Sequence, residues 1–115
     1  MRFILVAVSL SFAFLFSGCG GGGDIDNSWR TTKHSDLENY FKSTEEPIVK
    51  DAIWTQKNFF KVGVFDDGTD RSGYALYVCQ ILSDKGMSNG VTVHVIDIIK
   101  LSAQGKWVKL GQANC

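Results

Sequence analysis

The sequence predicts an α+β domain: a small four-stranded, mainly antiparallel sheet in the order β-β-α-β-β, with one long helix on a face and a short helix ahead of the sheet. Three observations predict it. Two β-branched and aromatic stretches, Val49 to Trp54 and Phe59 to Phe65, are joined by the polar TQKN. A stretch of helical period, DRSGYALYVCQILSDKG, follows them. VTVHVIDIIKL and WVKL then read as a second strand pair, separated by SAQGK. Two hairpins flanking a helix most simply build one sheet with that helix laid across it.

The short helix is expected over 35–44. Ser35 and Glu38 stand at capping-box spacing, and Leu37, Tyr40 and Phe41 fall on one side of the helical wheel. Pro47, the only proline, discourages a longer helix. In the second strand Phe60, Val62 and Val64 face one way, and Phe59, Lys61, Gly63 and Phe65 the other. DDGTD ends that strand. The long helix is expected over 71–85, because Tyr74, Tyr77, Val78, Ile81 and Leu82 recur at steps of three and four, and Gly86 sits where a left-handed cap belongs. Cys79 falls near Val78 and Leu82 on the buried side. An eleven-residue strand is expected over 91–101, apolar on both faces, and WVKL is the last strand, ending at Gly111. Both faces of such a sheet need cover, and the short helix with Trp29 before it, or a binding partner, is the expected cover for the second face.

Ahead of the domain, Met1 and Arg2 precede fourteen residues, Phe3 to Phe16, broken only by Ser9 and Ser11. A helix crossing a bilayer needs roughly 20 apolar residues, so this run has the layout of a signal peptide instead. It ends in Phe16, Ser17, Gly18 and Cys19. These residues resemble the signal of bacterial lipoproteins, a large aliphatic residue and two small ones before a cysteine, with Phe where Leu is usual and Leu15 one step earlier. The resemblance covers only the first 19 residues. It implies that residues 1–18 are removed and that Cys19 is diacylated on sulfur and acylated on its new amino terminus. One myristoyl chain binds marginally, whereas three acyl chains anchor firmly. Gly20 to Gly23 then suit a flexible tether, so residues 19–28 are read as anchor and tether and 29–115 as one globular domain. Gly20 is not the Asp that retains enterobacterial lipoproteins at the inner membrane, and the resemblance therefore points to the outer membrane of a Gram-negative envelope.

With Cys19 committed to lipid, Cys79 and Cys115 remain, and in an oxidising compartment they are expected to form a disulfide. A loop of that size contributes on the order of 3 to 4 kcal/mol in the chain-entropy account. That matters, since a domain this short buries only roughly 60 to 65 per cent of its unfolded surface. Loss of Arg2 leaves eleven Lys and Arg against twelve Asp and Glu. No basic field for nucleic acid exists in such a composition.

Residues suited to chemistry are few. Cys79, His94 and Asp97 are the types of a thiol hydrolase, but a disulfide accounts for Cys79 more simply. No close pair of ligands suggests zinc, and Asp66, Asp67 and Asp70 lack the alternation and terminal Glu of a calcium loop. No metal or cofactor is expected. Asp97 shares a face with Val93 and Val95, so it needs either a partner, for which Arg71 is the candidate, or a bulge that turns it outward. Trp54, Phe59, Phe65 and Trp107 could gather as a binding surface or pack as core. The expected function is that of a lipid-anchored envelope protein whose disulfide-stapled domain binds another envelope protein without catalysis. The alternative is a small envelope enzyme using Cys79 or the Asp66 to Arg71 region.

Overall fold

The computed structural model describes residues 27–115, and the expected signal peptide, Cys19 and most of the tether lie outside the described residues. The domain is α+β, with a mixed four-stranded sheet and three helices: α1 (Thr32–Lys42), β1 (Asp51–Gln56), β2 (Phe59–Val64), α2 (Ser72–Asp84), β3 (Thr92–Asp97), α3 (Ile98–Gln104) and β4 (Lys109–Asn114). The strands lie in chain order, β1-β2-β3-β4. β1 and β4 pair antiparallel with their neighbours, whereas β2 and β3 run parallel because α2 carries the chain back between them. The sheet is therefore mixed, with two of its three strand pairs antiparallel and the central pair parallel. α2 has 13 residues and α1 eleven, so the expected contrast of one long and one short helix is not found.

One face of the sheet carries the core. Ala52, Trp54, Phe60, Val62, Val64, Val93, Val95 and Ala113 are buried there with Leu37 and Phe41 of α1 and Ala75, Val78, Ile81 and Leu82 of α2 in a single apolar cluster. Both of these helices thus lie on the same face, and α1 does not cover the second one. α1 packs on the β1 side and α2 on the β4 side. The start of α2 crosses β4 so closely that a Cβ on Gly111 would lie 2.3 Å from the Arg71 carbonyl carbon and the Ser72 nitrogen. α2 ends in a Schellman cap: Gly86, at φ +73°, donates to Ser83 O, and Met87 donates to Leu82 O at 2.8 Å.

Two boundaries differ from the sequence expectation for local reasons. α1 begins a turn earlier than 35, because Thr31 N–H donates to His34 Nδ1 at 3.0 Å and this pair, not Ser35 and Glu38, closes the helix start. The eleven-residue strand does not form. β3 stops at Asp97, whose carboxylate accepts from the backbone N–H groups of Ile99 and Lys100 at 3.0 and 3.1 Å and so opens α3. Gly105 closes that helix in the left-handed conformation at φ +68°. The last strand consequently starts at Lys109, past Trp107.

Cys79 of α2 and Cys115 are joined by a disulfide closing 36 positions, and Cys115 N–H donates to Val91 O at 2.8 Å. Replacing both cysteines by serine is expected to cost about 3 kcal/mol in urea unfolding. Gly111→Ala, whose new methyl meets backbone that cannot yield, is expected to cost about 3 kcal/mol or more, whereas Gly73→Ala, with open space around it, leaves the midpoint nearly unchanged.

Candidate functional site

The second face of the sheet is covered only over its middle, where α3 lays Ile98 against Gly63; a Cβ on that glycine would lie 2.8 Å from Ile98 Cδ1. Cross-strand register lines up the rest. Ile53, Lys61, His94 and Gln112 form one row, and Phe59, Thr92 and Asn114 another. The loop after α3 brings Trp107 over this face. Lys61 Nζ stands 4.5 Å from the Trp107 ring centroid and 5.2 Å from that of Phe59. The His94 ring meets Phe59 edge to face at 4.6 Å. Trp107 is 49% exposed and Ile53 44%.

The charge on this face is mostly positive. Lys109 donates to Gln112 Oε1, and neither it nor Lys61 has a carboxylate partner among the described residues. Burial, reinforced by the charges of Lys109 and Lys61, holds the His94 imidazole below its ordinary value, so the ring is neutral at pH 7. Asp51, two residues before Ile53 on β1, lies on this same face, and its carboxylate accepts from Ala52 N–H. The geometry gathers hydrogen-bond donors and flat apolar rings on one part of the sheet.

The four aromatic residues expected to share a surface divide. Phe59 and Trp107 meet at Lys61. Trp54 is a core residue, stacked against Phe60 at 4.6 Å on the opposite face. Phe65 is exposed at another end of the sheet, under Lys50 Nζ. Alternation along β2 placed Phe59 with Lys61, but cross-strand register and the α3 loop, neither visible locally, bring in His94 and Trp107.

The expected pairing of Arg71 with Asp97 is not formed. Arg71 reaches Asp67 at 3.3 Å and Phe65 O at 3.1 Å, while Asp97, buried on the core side, spends its oxygen on α3. Asp97 needs no cation because two backbone donors already satisfy it. Cys79, His94 and Asp97 are likewise not a catalytic group: the Cys79 sulfur is bonded, and His94 lies on the other side of the sheet. Asp66, Asp67 and Asp70 each accept from a backbone N–H two residues ahead, as turn-forming side chains do. Among the described residues no three His, Cys, Asp or Glu gather to hold a metal.

Two further polar groupings were not visible in the sequence. Buried Glu46, in the loop after α1, accepts hydrogen bonds from three tyrosines: Tyr40 at 3.1 Å, Tyr74 at 2.9 Å and Tyr77 at 2.9 Å. Burial and the bond to Glu46 push the Tyr74 and Tyr40 phenols up, and for Tyr77 the bond to Glu46 leads. A hollow of about 340 Å³ lies beside Trp29, His34, Asn58 and Met87. Its histidine is fully used: Nδ1 accepts from Thr31 N–H, so Nε2–H donates to Lys57 O at 3.2 Å.

Removing a neighbouring charge is expected to raise the His94 value. Lys109→Gln moves the imidazole titration upward in NMR, and the resonance of His34 serves as the internal reference. Because the folded value lies below 6.5, the contribution of neutral His94 to stability is present above that pH and is lost as the pH falls through the folded value. For the tyrosine cluster the sign is opposite. Its contribution is complete below pH 10 and declines as the pH rises beyond it. Tyr74→Phe, which deprives a buried carboxylate of a donor, is expected to cost about 1.5 to 3 kcal/mol in urea unfolding at pH 7. No protein-family model, curated protein or solved structure matches the chain.

Proposed function

We propose that the chain is a lipid-anchored binding module of a bacterial cell envelope, held at a bilayer through Cys19 and meeting a partner protein on the open sheet face around Trp107. The observation that carries this reading is that face: Lys61 lies between Phe59 and Trp107, half of Trp107 is exposed, and the core helices cover only the other side. Aromatic side chains with an apolar body and a polar rim are frequent anchors of protein interfaces. The lipoprotein-like run through Phe16, Ser17, Gly18 and Cys19 supports the anchor, and the glycines behind it support a tether. A domain stapled by Cys79 and Cys115 suits an oxidising envelope compartment.

Both halves of the reading are testable in cells. A photoreactive benzoylphenylalanine at position 107 is expected to cross-link a distinct envelope protein, whereas the same group at Gln80, exposed on α2, does not. Equal cross-linking from both positions, or none from 107, removes the face from the reading. Intact-mass analysis of the purified product is expected to show Cys19 as the first residue, carrying acyl chains. A first residue elsewhere, or an unmodified mass, removes the anchor.

A further inference from the structure

Resting on that reading of the open face, we infer that its partner presents an acidic, apolar-studded peptide segment, whose carboxylates meet Lys61 and Lys109 while its apolar side chains lie against Ile53 and Trp107. Charge complementarity carries the choice. Lys61 and Lys109 have no carboxylate of their own among the described residues, and Lys61 is held in place by two rings rather than free to sample solvent. A cation so placed loses little conformational freedom on meeting an anion, so the contact is preorganised. His94 stands next to both lysines as a third potential donor. An incoming carboxylate offsets the lysine charges that add to burial in holding its value down.

The amount of charge selects a peptide over other anions. Two lysines and one neutral histidine, with Asp51 on the same face, fall short of the four to eight basic residues that hold an anionic membrane surface. They fall shorter still of the phosphate contacts that bind nucleic acid. The face also has apolar area that phosphate headgroups would leave unused.

The edges of the sheet argue for docking on the face rather than by strand addition. On β1, the Trp54 N–H donates to Glu38 and the Ala52 N–H to Asp51. On β4, Leu110 O accepts from Arg71 N–H, and the Gln112 N–H points at Ser72 Oγ. A partner strand would find those positions taken on both sides.

The test uses the full-length chain in non-ionic detergent micelles and follows the His94 imidazole and Trp107 indole resonances. Three ten-residue probes are added in turn, leucine alternating with glutamate, with serine or with lysine, and a fourth sample carries micelles doped with phosphatidylglycerol. The glutamate probe is expected to shift both resonances and raise the His94 titration toward 6.5, with the other samples near baseline. Lys61→Gln and Lys109→Gln are each expected to weaken binding of the glutamate probe by about five- to tenfold, the loss of one charge-assisted contact. Retention of the far-side Trp54 resonance confirms that each variant is folded. Equal shifts with the serine probe overturn the acidic preference but leave the face as a docking site. Equal shifts with phosphatidylglycerol overturn the inference in favour of a headgroup surface, and shifts that grow with protein concentration alone overturn it in favour of a second copy of the chain. Absence of any shift, with the cross-link from position 107 intact in cells, overturns the inference without touching the reading it rests on.

Discussion

The Asp97 carboxylate decides the shape of the second face. Buried among apolar side chains, it would be costly to desolvate without donors. The chain supplies them by leaving the strand: two backbone N–H groups of α3 turn toward one carboxylate oxygen, and the helix dipole adds a small further gain. Everything downstream follows from that turn. Ile98 drops onto Gly63, where the absence of a Cβ lets it seat; the loop after Gly105 swings Trp107 over Lys61; and β4 returns antiparallel to β3. Had the strand continued to Leu101, the second face would have no helix on it and Trp107 would lie elsewhere.

A second constraint is the sheet's own boundary. Four strands have two free edges, and each is a template for unwanted pairing. At β1 the chain spends carboxylates on it. Glu38 accepts from the Trp54 N–H at 2.8 Å and is held by the two terminal guanidinium nitrogens of Arg30, at 3.0 and 2.8 Å. Burial works to raise the Glu38 carboxyl, but the bonds from Arg30 and Trp54, with the charges of Arg30 and Lys42, outweigh it and leave the group lowered. This tie is therefore intact above the usual carboxylate range and weakens as the pH drops through the folded value. At β4 the edge is closed by close approach instead, which is what the bare Cα of Gly111 permits. The same helix start that seals the edge also leads into the turn of α2 that carries Cys79, so edge closure and disulfide reinforce one another.

Much of this was legible locally, and what was not has a common cause. Alternation in β2 sorted Phe60, Val62 and Val64 from Phe59 and Lys61, and the period of α2 with Gly86 fixed that helix within a residue at each end. The cysteine pair could be read once Cys19 was set aside. By contrast, Ile98, Ile99 and Leu101 suit a strand as well as a helix, and only Asp97 before them and Gly105 after them mark the change. Trp54 could be placed on a face but not on the covered one, because the position of α1 is set by packing across the domain. The Glu46 cluster was invisible for the same reason: Tyr40, Tyr74 and Tyr77 come from two helices and converge on a loop carboxylate far from two of them in sequence. Sequence patterns describe one element at a time, whereas these features arise between elements.

The two faces also differ in how charge is treated, and the difference bears on what each is for. On the core side and along the edges every buried acid has named donors: Asp97 has α3, Glu38 has Arg30 and Trp54, and Glu46 has three phenols. These groups are satisfied internally, and breaking any of them strands a buried carboxylate, so their role is to fix the fold. On the open face the cations are treated oppositely. Lys61 lies on rings rather than on an acid, Lys109 meets an amide oxygen, and His94 is held neutral by burial, with the lysines beside it adding to the effect. Interactions with ring faces and amides are weaker than those with carboxylates and are readily supplemented by an anion arriving from outside. The buried acids are satisfied inside the domain, whereas on the face that α1 and α2 leave open Lys61 and Lys109 meet rings and an amide that an arriving anion can supplement.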